Sequence, residues 1–312
     1  MMIIVGGALA APRMFAQGTT KKGDGAAVAT RSGGESPFYV LADHGAVPGK
    51  DCTAALQRAF DTLRDHKKPI LLPAGPLKIS ETIQTPFAAG GMLLGAGRGQ
   101  QIMPDTPLRG AVTSLVWTGA PGGTVLELRG SDMEIRDLAI YGKPHGKKTG
   151  RAGIGVLVTK GNTRGLGVGK HQFSSLYIQG CDVGFQVGQR ASEHNCDNLV
   201  FGMLTLVGCD TGFRVVNAQG VGFKFDYVLT RYLDVAFEFL GGGNLAIDAW
   251  KIIAGNVGLR IQNQRNPVTI GKNNAYYSIS NIKLDNNAGE FKLIEQTTPA
   301  EAVIVLNQGH IG

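Results

Sequence analysis

Three sets of mostly polar residues recur between residues 136 and 292, and each carries groups suited to acid–base chemistry. The first set stands just before a short apolar run in four successive segments and consists of Asp182, Asp210, Asp234 and Asn256. Carboxylates in such a row are candidates for catalysis. Asp and Asn at a repeated turn also commonly bond the local backbone, so a purely structural role is the alternative.

The second set lies within the apolar run that follows and consists of Gln186, Arg214, Glu238, Arg260 and Lys292. Guanidinium groups bind uronate or sulfate groups in bidentate fashion, which makes Arg214 and Arg260 candidate substrate-binding residues. Glu238, flanked by both, would be held ionised and would be a candidate base or nucleophile. The alternative is a cross-strand ion-pair ladder that only keeps the surface soluble.

The third set belongs to another apolar run and consists of Arg136, Ser174, Gly202, Asp226, Asp248 and Ser280, with Lys251 and Lys283 in a nearby column. Neighbouring Asp226 and Asp248 would repel each other, which invites a raised pKa or a bound Ca²⁺. Such a pair suits a retaining glycosidase, or a calcium-assisted lyase in which Lys or Arg removes the proton α to a uronate carboxylate. A shift of one residue in the alignment would turn this column inward.

From these sets we select candidate site residues. The candidate catalytic residues are Glu238, Asp226, Asp248, Asp210 and Asp234, the candidate substrate-binding residues are Arg214, Arg260 and Lys251, and the candidate cofactor is Ca²⁺ at Asp226 and Asp248.

An internal repeat predicts the elements that position these residues. Five similar segments begin at Phe173, Phe201, Phe225, Ile247 and Ile279, spaced 28, 24, 22 and 32 residues apart. Apolar residues alternate with polar ones inside each copy, as in strands with one buried face. One copy is too small to enclose a core, so the copies must stack. The repeat predicts an all-β fold, a right-handed parallel β-helix, in which each polar set becomes a ladder with rungs about 5 Å apart. A propeller or a sandwich is the alternative.

Composition agrees with many short strands and tight turns, since 46 of the 312 residues are glycine and 18% are charged. The net charge of +7 attracts anions, but no basic–aromatic motif points to nucleic acid. Residues 3–11 are apolar yet too short to span a bilayer, and we interpret residues 1–36 as a signal-peptide-like segment and a flexible linker. A disordered tail is the alternative. The expected location is secreted, periplasmic or cell-surface, without stable membrane insertion.

The four cysteines show no metal-binding spacing. Cys181 and Cys209 occupy equivalent repeat positions, so they should stack either as free thiols, the commoner outcome, or as a disulfide. Long insertions between the strands should wall a groove, and they supply His145, His171, Glu193 and His194. A loop histidine is usually solvated, so these are weak candidates for catalysis.

The opening of the predicted domain, residues 37–105 of 37–312, carries DHGAV, a Thr-Ala-Ala-Leu-Gln helix, ILLPAGPLKIS and LLGAGRG in order. This opening resembles that of the pectate lyase superfamily, the rhamnogalacturonase-like and epimerase-like β-helix proteins. Within this opening, the spacing of Leu56, Ala59, Phe60 and Leu63 predicts a helix over residues 53–66 with one apolar face, N-capped by Asp51 or Thr53, that closes the first coil. Polygalacturonase-type members carry paired aspartates before the equivalent strand. Here Val183 and Thr211 replace the second carboxylate.

The resemblance supports two hypotheses of function. One is a polysaccharide lyase or glycoside hydrolase acting on an acidic, uronate-type polysaccharide. The other is a non-catalytic glycan-binding or surface-structural module similar to phage tailspikes. Because tailspike-like members form trimers, the resemblance also implies a homotrimer.

Overall fold

The computed structural model describes residues 2–6, 36–86, 90–98, 112–143, 150–160, 168–193, 196–217, 220–262, 275–285, 290–297 and 302–311. A 3₁₀ helix at Leu41–His44 and two α-helices, α1 (Thr53–Asp61) and α2 (Leu63–His66), lie near the start of the domain. No helix among the described residues is long and apolar enough to cross a membrane.

The strands, numbered β1 to β24 along the chain, form two large sheets and one small one in the described residues. The long sheet contains β1 (Met2–Gly6), β2 (Tyr39–Val40), β3 (Ile70–Leu71), β4 (Gly75–Ile79), β6 (Gly91–Leu94), β7 (Thr113–Trp117), β9 (Met133–Tyr141), β12 (Gln172–Gln179), β15 (Leu199–Val207), β17 (Phe223–Arg231), β19 (Leu245–Ile247), β20 (Trp250–Ile253), β22 (Ala275–Asp285) and β24 (Ala302–Ile311). The second sheet contains β5 (Ile83–Gln84), β8 (Thr124–Leu128), β10 (Ile154–Val158), β13 (Val183–Val187), β16 (Thr211–Val215), β18 (Val235–Phe239), β21 (Val257–Ile261) and β23 (Lys292–Gln296). The small sheet pairs β11 (Val168–Gly169) with β14 (Cys196–Asp197).

The repeat copies stack in the predicted register. Phe173 pairs with Phe201, Phe201 with Phe225, and Phe225 with Ile247, each across parallel strands of the long sheet. The second sheet repeats this order, with β13, β16, β18 and β21 as successive parallel neighbours. The predicted all-β parallel β-helix with an N-terminal capping helix is therefore confirmed.

Two stacks of phenylalanine rings fill the core between the two sheets. Phe201 lies between Phe173 and Phe225, with ring centroids 4.7 and 4.4 Å away and nearly parallel planes. Phe185 and Phe213 form the opposing stack, and Phe201 meets both rings edge-on at 5.1 and 5.8 Å. Offset and edge-to-face contacts of this kind are the favourable arrangements for aromatic pairs. The equivalent repeat positions therefore share one environment, as the alternation predicted.

Four successive coils turn from the long sheet to the second sheet through one residue in the left-handed conformation. These residues are Gly180, Gly208, Tyr232 and Ala254, with φ of 71°, 58°, 53° and 50°. Tyr232 and Ala254 adopt a conformation that costs non-glycine residues energy, so the surrounding coil must impose it. The turn places Asp182, Asp210, Asp234 and Asn256 at the same corner, two residues further on.

The capping helices dock on the first coil through polar contacts. The Asp51 carboxylate accepts hydrogen bonds from Thr53 N at 2.9 Å and from Ser80 Oγ at 2.6 Å, although the N-cap residue of α1 is Cys52. Burial raises the pKa of Asp51, but the Ser80 and Thr53 hydrogen bonds outweigh it and hold that pKa below the usual value. Gln57 pairs with the backbone of Gln84 in both directions, at 2.9 and 3.0 Å. The predicted helix is split at Thr62 into α1 and α2.

The N-terminal segment is described only in part. Residues 2–6 form β1, which pairs in parallel with β24 at the last rung of the long sheet. The remainder of the predicted signal-peptide-like segment and linker, residues 7–35, lies outside the described residues, so that interpretation stays a prediction.

All four cysteines are buried free thiols, so the alternative of a Cys181–Cys209 disulfide is wrong. The two thiols stack on neighbouring coils instead. The adjacent Cys209 thiol and burial both raise the pKa of Cys181, which makes it a poor nucleophile.

His171 is a buried residue directly before β12 and not the solvated loop histidine expected. Its Nδ1 accepts a hydrogen bond from Met133 N at 3.2 Å. Burial lowers the pKa of His171 to about 4. The ring is therefore neutral in the folded protein at neutral pH. His145 and His194 lie outside the described residues.

This burial predicts a loss of stability in mild acid. An unfolded histidine titrates near pH 6.5, so between pH 6.5 and 4 the unfolded state binds more protons than the folded one. The contribution of His171 is full above pH 6.5 and is lost as pH falls to about 4, by about 3 kcal/mol. Urea unfolding from pH 7 to 4 should show a steeper loss for the natural protein than for His171→Gln. His44→Gln, at an exposed ring, should keep the natural slope; identical slopes for all three proteins would contradict the prediction.

Candidate functional site

The second ladder is an ion-paired column on the outer face of the second sheet. Strand pairing aligns Gln186 with Arg214, Arg214 with Glu238, and Glu238 with Arg260. The fifth rung is Glu295, because Arg260 pairs with Glu295 and Lys292 pairs with Val257. The prediction of Lys292 in this ladder is wrong because the last coil has a longer corner between β22 and β23 than the earlier copies have.

Both carboxylate oxygens of Glu238 are engaged. Arg214 Nε lies 2.6 Å from Oε2, Arg260 Nη1 lies 3.5 Å from Oε1, and only 6% of Glu238 is exposed. Arg260 Nε also lies 2.6 Å from Glu295 Oε2, and Arg260 holds the pKa of Glu295 below its usual value. Guanidinium groups occupied in this way have few donors left for a substrate. The geometry favours the ion-pair ladder over a catalytic role for Glu238.

The first ladder is tied together by side chains at the corner between the sheets. Arg151 bridges two successive rungs, with Nε on Asp182 and Nη2 on Asp210. One rung further, Asn256 Nδ2 donates to Asp234 Oδ1 at 3.1 Å. Burial lowers the pKa of Arg151, but the hydrogen bonds and charges of Asp210 and Asp182 outweigh burial and raise that pKa above its usual value. The side chains of Asp182 and Asp210 are 46% and 54% exposed, so a substrate could contact a carboxylate pair at this corner.

The third ladder faces outward from the long sheet, as predicted. Lys224 Nζ lies 3.2 Å from Asp226 Oδ1 and 3.9 Å from Asp248 Oδ2, on neighbouring rungs. More than half of each of these side chains is exposed, 53% for Asp226 and 61% for Asp248. Hydrogen bonding to Asp226 and the charges of both carboxylates raise the pKa of Lys224. Two exposed carboxylates therefore share one firmly protonated ammonium.

This arrangement does not suit Ca²⁺. A calcium site needs six to eight oxygen ligands, and here the ammonium of Lys224 already provides the compensating positive charge. Among the described residues there is no group of three or more acidic, histidine or cysteine side chains placed to hold a metal. We therefore derive no chemistry through calcium at Asp226 and Asp248.

Beside the third ladder the pairing between strands is interrupted, and an arginine from the capping region reaches the strand segments that follow the interruption. Met203 and Tyr227 are paired there in register. Arg98, which follows β6, donates from Nη1 to Thr205 Oγ1 at 2.7 Å and contacts Met203 Sδ through Nη2. These partners within the described residues are neutral. Burial lowers the pKa of Arg98, while Tyr227 and Asp137 raise it. In the described part of the chain no ion pair joins Arg98 to a carboxylate, so Arg98 brings a positive charge to this face.

Tyrosines and a second arginine extend this surface. Tyr177 is buried, donates its hydroxyl to Gln179 Oε1 at 2.8 Å, and lies 5.9 Å from Tyr141 between ring centroids. Burial raises the pKa of Tyr177, while the charges of Arg231 and Arg98 lower it. Both guanidinium groups are thus close to this ring. We refer to Arg98, Tyr177, Met203, Tyr227 and Arg231 as the arginine–tyrosine strip.

The candidate site also contains an opening and a further lysine. Gly202 stands in the third ladder between Ser174 and Asp226, and a Cβ added there would meet nothing closer than Ser174 Oγ at 3.8 Å. The column is therefore open next to Asp226. Lys251, a predicted substrate-binding residue, lies in the same column as Tyr177 and Thr205. Its ammonium pairs with Asp285 at 2.8 Å.

Sequence reasoning missed Arg98 as a site residue. Arg98 belongs to LLGAGRG, and its partner Thr205 lies 107 residues away along the chain. Nothing in the repeat connects the two, because Arg98 precedes the regular coils. Tyr177 could have been identified from the sequence, because the repeat places it in the same column as Thr205 and Lys251.

The fold and this surface define a parallel β-helix whose long outer face carries an exposed carboxylate pair next to cations and tyrosines. No protein-family model and no curated protein matches the chain. Among solved structures, it is similar to ORF18 of Geobacillus virus E2, at 13% identity and TM-score 0.42, covering 88% of this chain and 62% of that one. It is also similar to the Azotobacter vinelandii mannuronan C-5 epimerase AlgE4 A-module, at 14% identity and TM-score 0.40, covering 87% and 95%.

A third similar structure is the catalytic domain of a GH87 α-1,3-glucanase in complex with nigerose, at 12% identity and TM-score 0.46, covering 91% of this chain and 60% of that one. The chain thus spans less than two thirds of the virus protein and of the glucanase domain.

Proposed function

We propose that the chain is a carbohydrate-active protein that takes an acidic, uronate-type polysaccharide along the outer face of its long sheet. The observation that carries the proposal is the exposed Asp226–Asp248 pair, directly beside the arginine–tyrosine strip. An extended glycan parallel to the coil axis would contact successive rungs. Arg98 and Arg231 would bind its carboxylates, and the half-buried ring of Tyr227 would contact a sugar face.

The chemistry that best suits this pair is glycoside hydrolysis. Asp226 lies on β17 and Asp248 directly follows the neighbouring strand β19, and such strands lie about 4.8 Å apart. This spacing is compatible with the carboxyl separation of about 5–5.5 Å at which one carboxyl acts as acid and the other as nucleophile. A lyase needs a base to remove the proton α to the uronate carboxylate. Because Asp226 and Asp248 raise the pKa of Lys224, that lysine is poorly suited to this role.

A binding-only function is the second candidate, and the exposure of both carboxylates favours it. Hydrolysis usually proceeds in a site that excludes water, whereas Asp226 and Asp248 are more than half exposed. The secreted or surface location, which derives from the signal-peptide-like segment, and the homotrimer, which derives from the sequence resemblance, are likewise proposals.

The test is hydrolysis of a panel of uronate and neutral polysaccharides, with assays for new reducing ends and for unsaturated ends. Asp226→Asn and Asp248→Asn should each lower reducing-end release by a factor of about 10²–10⁴. Asp234→Asn, at the corner between the sheets, is the matched control and should keep full activity. Loss confined to Asp210→Asn and Asp234→Asn would move the site to the first ladder. Binding without cleavage would favour the second candidate, and neither binding nor cleavage would contradict the proposal.

A further inference from the structure

A basin lies on the long sheet, away from the carboxylate pair. It has a volume of about 630 Å³ and separates the end of α2 from the outer surface of β6 and β9. One wall carries Arg64, Lys67 and Lys68, and the opposite wall carries Met92 and Glu134. Its location at the capping end of the solenoid sets it apart from the arginine–tyrosine strip.

The local backbone gives the basin its shape. Helix α2 packs on bare backbone at Gly91, where a Cβ would come within 2.6 Å of Leu63 Cδ2. Lys67 ends α2 in the left-handed conformation, with φ of 51°, so the chain turns away and leaves the space open. Both features belong to the docked cap, so the basin is part of the folded domain.

The charge of the basin suits an anion. Arg64 and Lys67 are exposed and Lys68 is half-buried, all on the helix side. On the sheet side, the acidic residues that line the basin are Asp132 and Glu134, and Glu134 is paired with Arg136 Nε. The three cations of the helix side therefore outnumber the two carboxylates that face them.

The basin is aligned with the proposed polysaccharide site. Strand pairing connects Met92 to Glu134, Glu134 to Gln172, Gln172 to Val200, and finally Val200 to Lys224. The basin thus begins the outward column that contains Lys224, four rungs away. At the spacing of parallel strands, this is about 19 Å along the coil axis. A polysaccharide lying on Asp226 and running parallel to the axis would reach the basin.

We infer that the basin is a distal subsite that binds an anionic sugar unit of the same polysaccharide chain. The inference rests on the proposed function. Two linked contacts on one ligand raise its affinity through effective concentration, and they do so only when the ligand spans both sites. Long acidic oligosaccharides should therefore bind more tightly than short ones, and the difference should depend on Arg64 and Lys67.

The experiment compares the affinities of acidic oligosaccharides of two to three units with those of ten or more units, for the natural protein and for the double variant Arg64→Gln/Lys67→Gln. We expect the natural protein to prefer the long oligomers by a factor of about 10 or more. The double variant should lose this preference while it binds the short oligomers unchanged. Arg58→Gln, an exposed arginine on α1 outside the basin, should keep the preference.

The outcomes separate the inference from the proposed function. Length-independent binding by the natural protein, an equal loss for short and long oligomers in the double variant, or an unchanged preference in that variant would each overturn the distal subsite alone. Failure of the natural protein to bind any acidic oligosaccharide would overturn both.

Discussion

Phe201→Ala should lower the free energy of unfolding by about 3–5 kcal/mol. The Phe201 ring is fully buried between Phe173 and Phe225 and meets the opposing stack at Phe185 and Phe213. Removing the Phe201 ring leaves a cavity bordered by these four phenylalanine rings. A stacked coil cannot collapse into this space without shifting the register of its neighbours. Urea unfolding at neutral pH measures the change.

The matched control is the residue next to it in β15. Val200→Ala changes a side chain that points out of the same strand and is 40% exposed, so its effect should stay within about 0.5 kcal/mol. A loss below about 1 kcal/mol for Phe201→Ala would show that the phenylalanine stacks do not hold the coils together.

The sequence was sufficient to predict the core because the core is periodic. Phe173, Phe201 and Phe225 begin equivalent segments, and stacking is the arrangement that buries all of them at once. The outward direction of Asp226 followed from the same alternation. These features depend on local pattern and repeat spacing alone, so one sequence contains all the information that they need.

The parts that could not be predicted depend on contacts between distant segments. Glu295 replaces Lys292 in its ladder because the last corner is longer than the repeat would give. Arg98 reaches Thr205 from a segment that precedes the regular coils. The burial of His171 depends on where an insertion rejoins the stack. Spacing in the sequence contains no information about these three-dimensional neighbours.

Because Glu238 is buried between two arginines, its role in stability can be tested separately from a role in catalysis. Glu238→Gln should lower the free energy of unfolding by about 2–4 kcal/mol, because it leaves the largely buried Arg214 without its carboxylate and leaves Arg260 with Glu295 alone. Asp226→Asn removes a carboxylate of an exposed ion pair and should cost less than about 1 kcal/mol. Urea unfolding of both variants under identical conditions gives the comparison.

A double-mutant cycle tests whether the cost belongs to the ion pair itself. Arg214→Gln combined with Glu238→Gln removes both partners, so the double variant should be more stable than the sum of the single losses by about 1–3 kcal/mol. Polysaccharide binding by Glu238→Gln, measured well below its unfolding midpoint, should match that of the natural protein, since the proposed site lies on the other sheet. If Glu238→Gln instead kept full stability and lost activity, the carboxylate would have the catalytic role that its place between Arg214 and Arg260 suggested from the sequence.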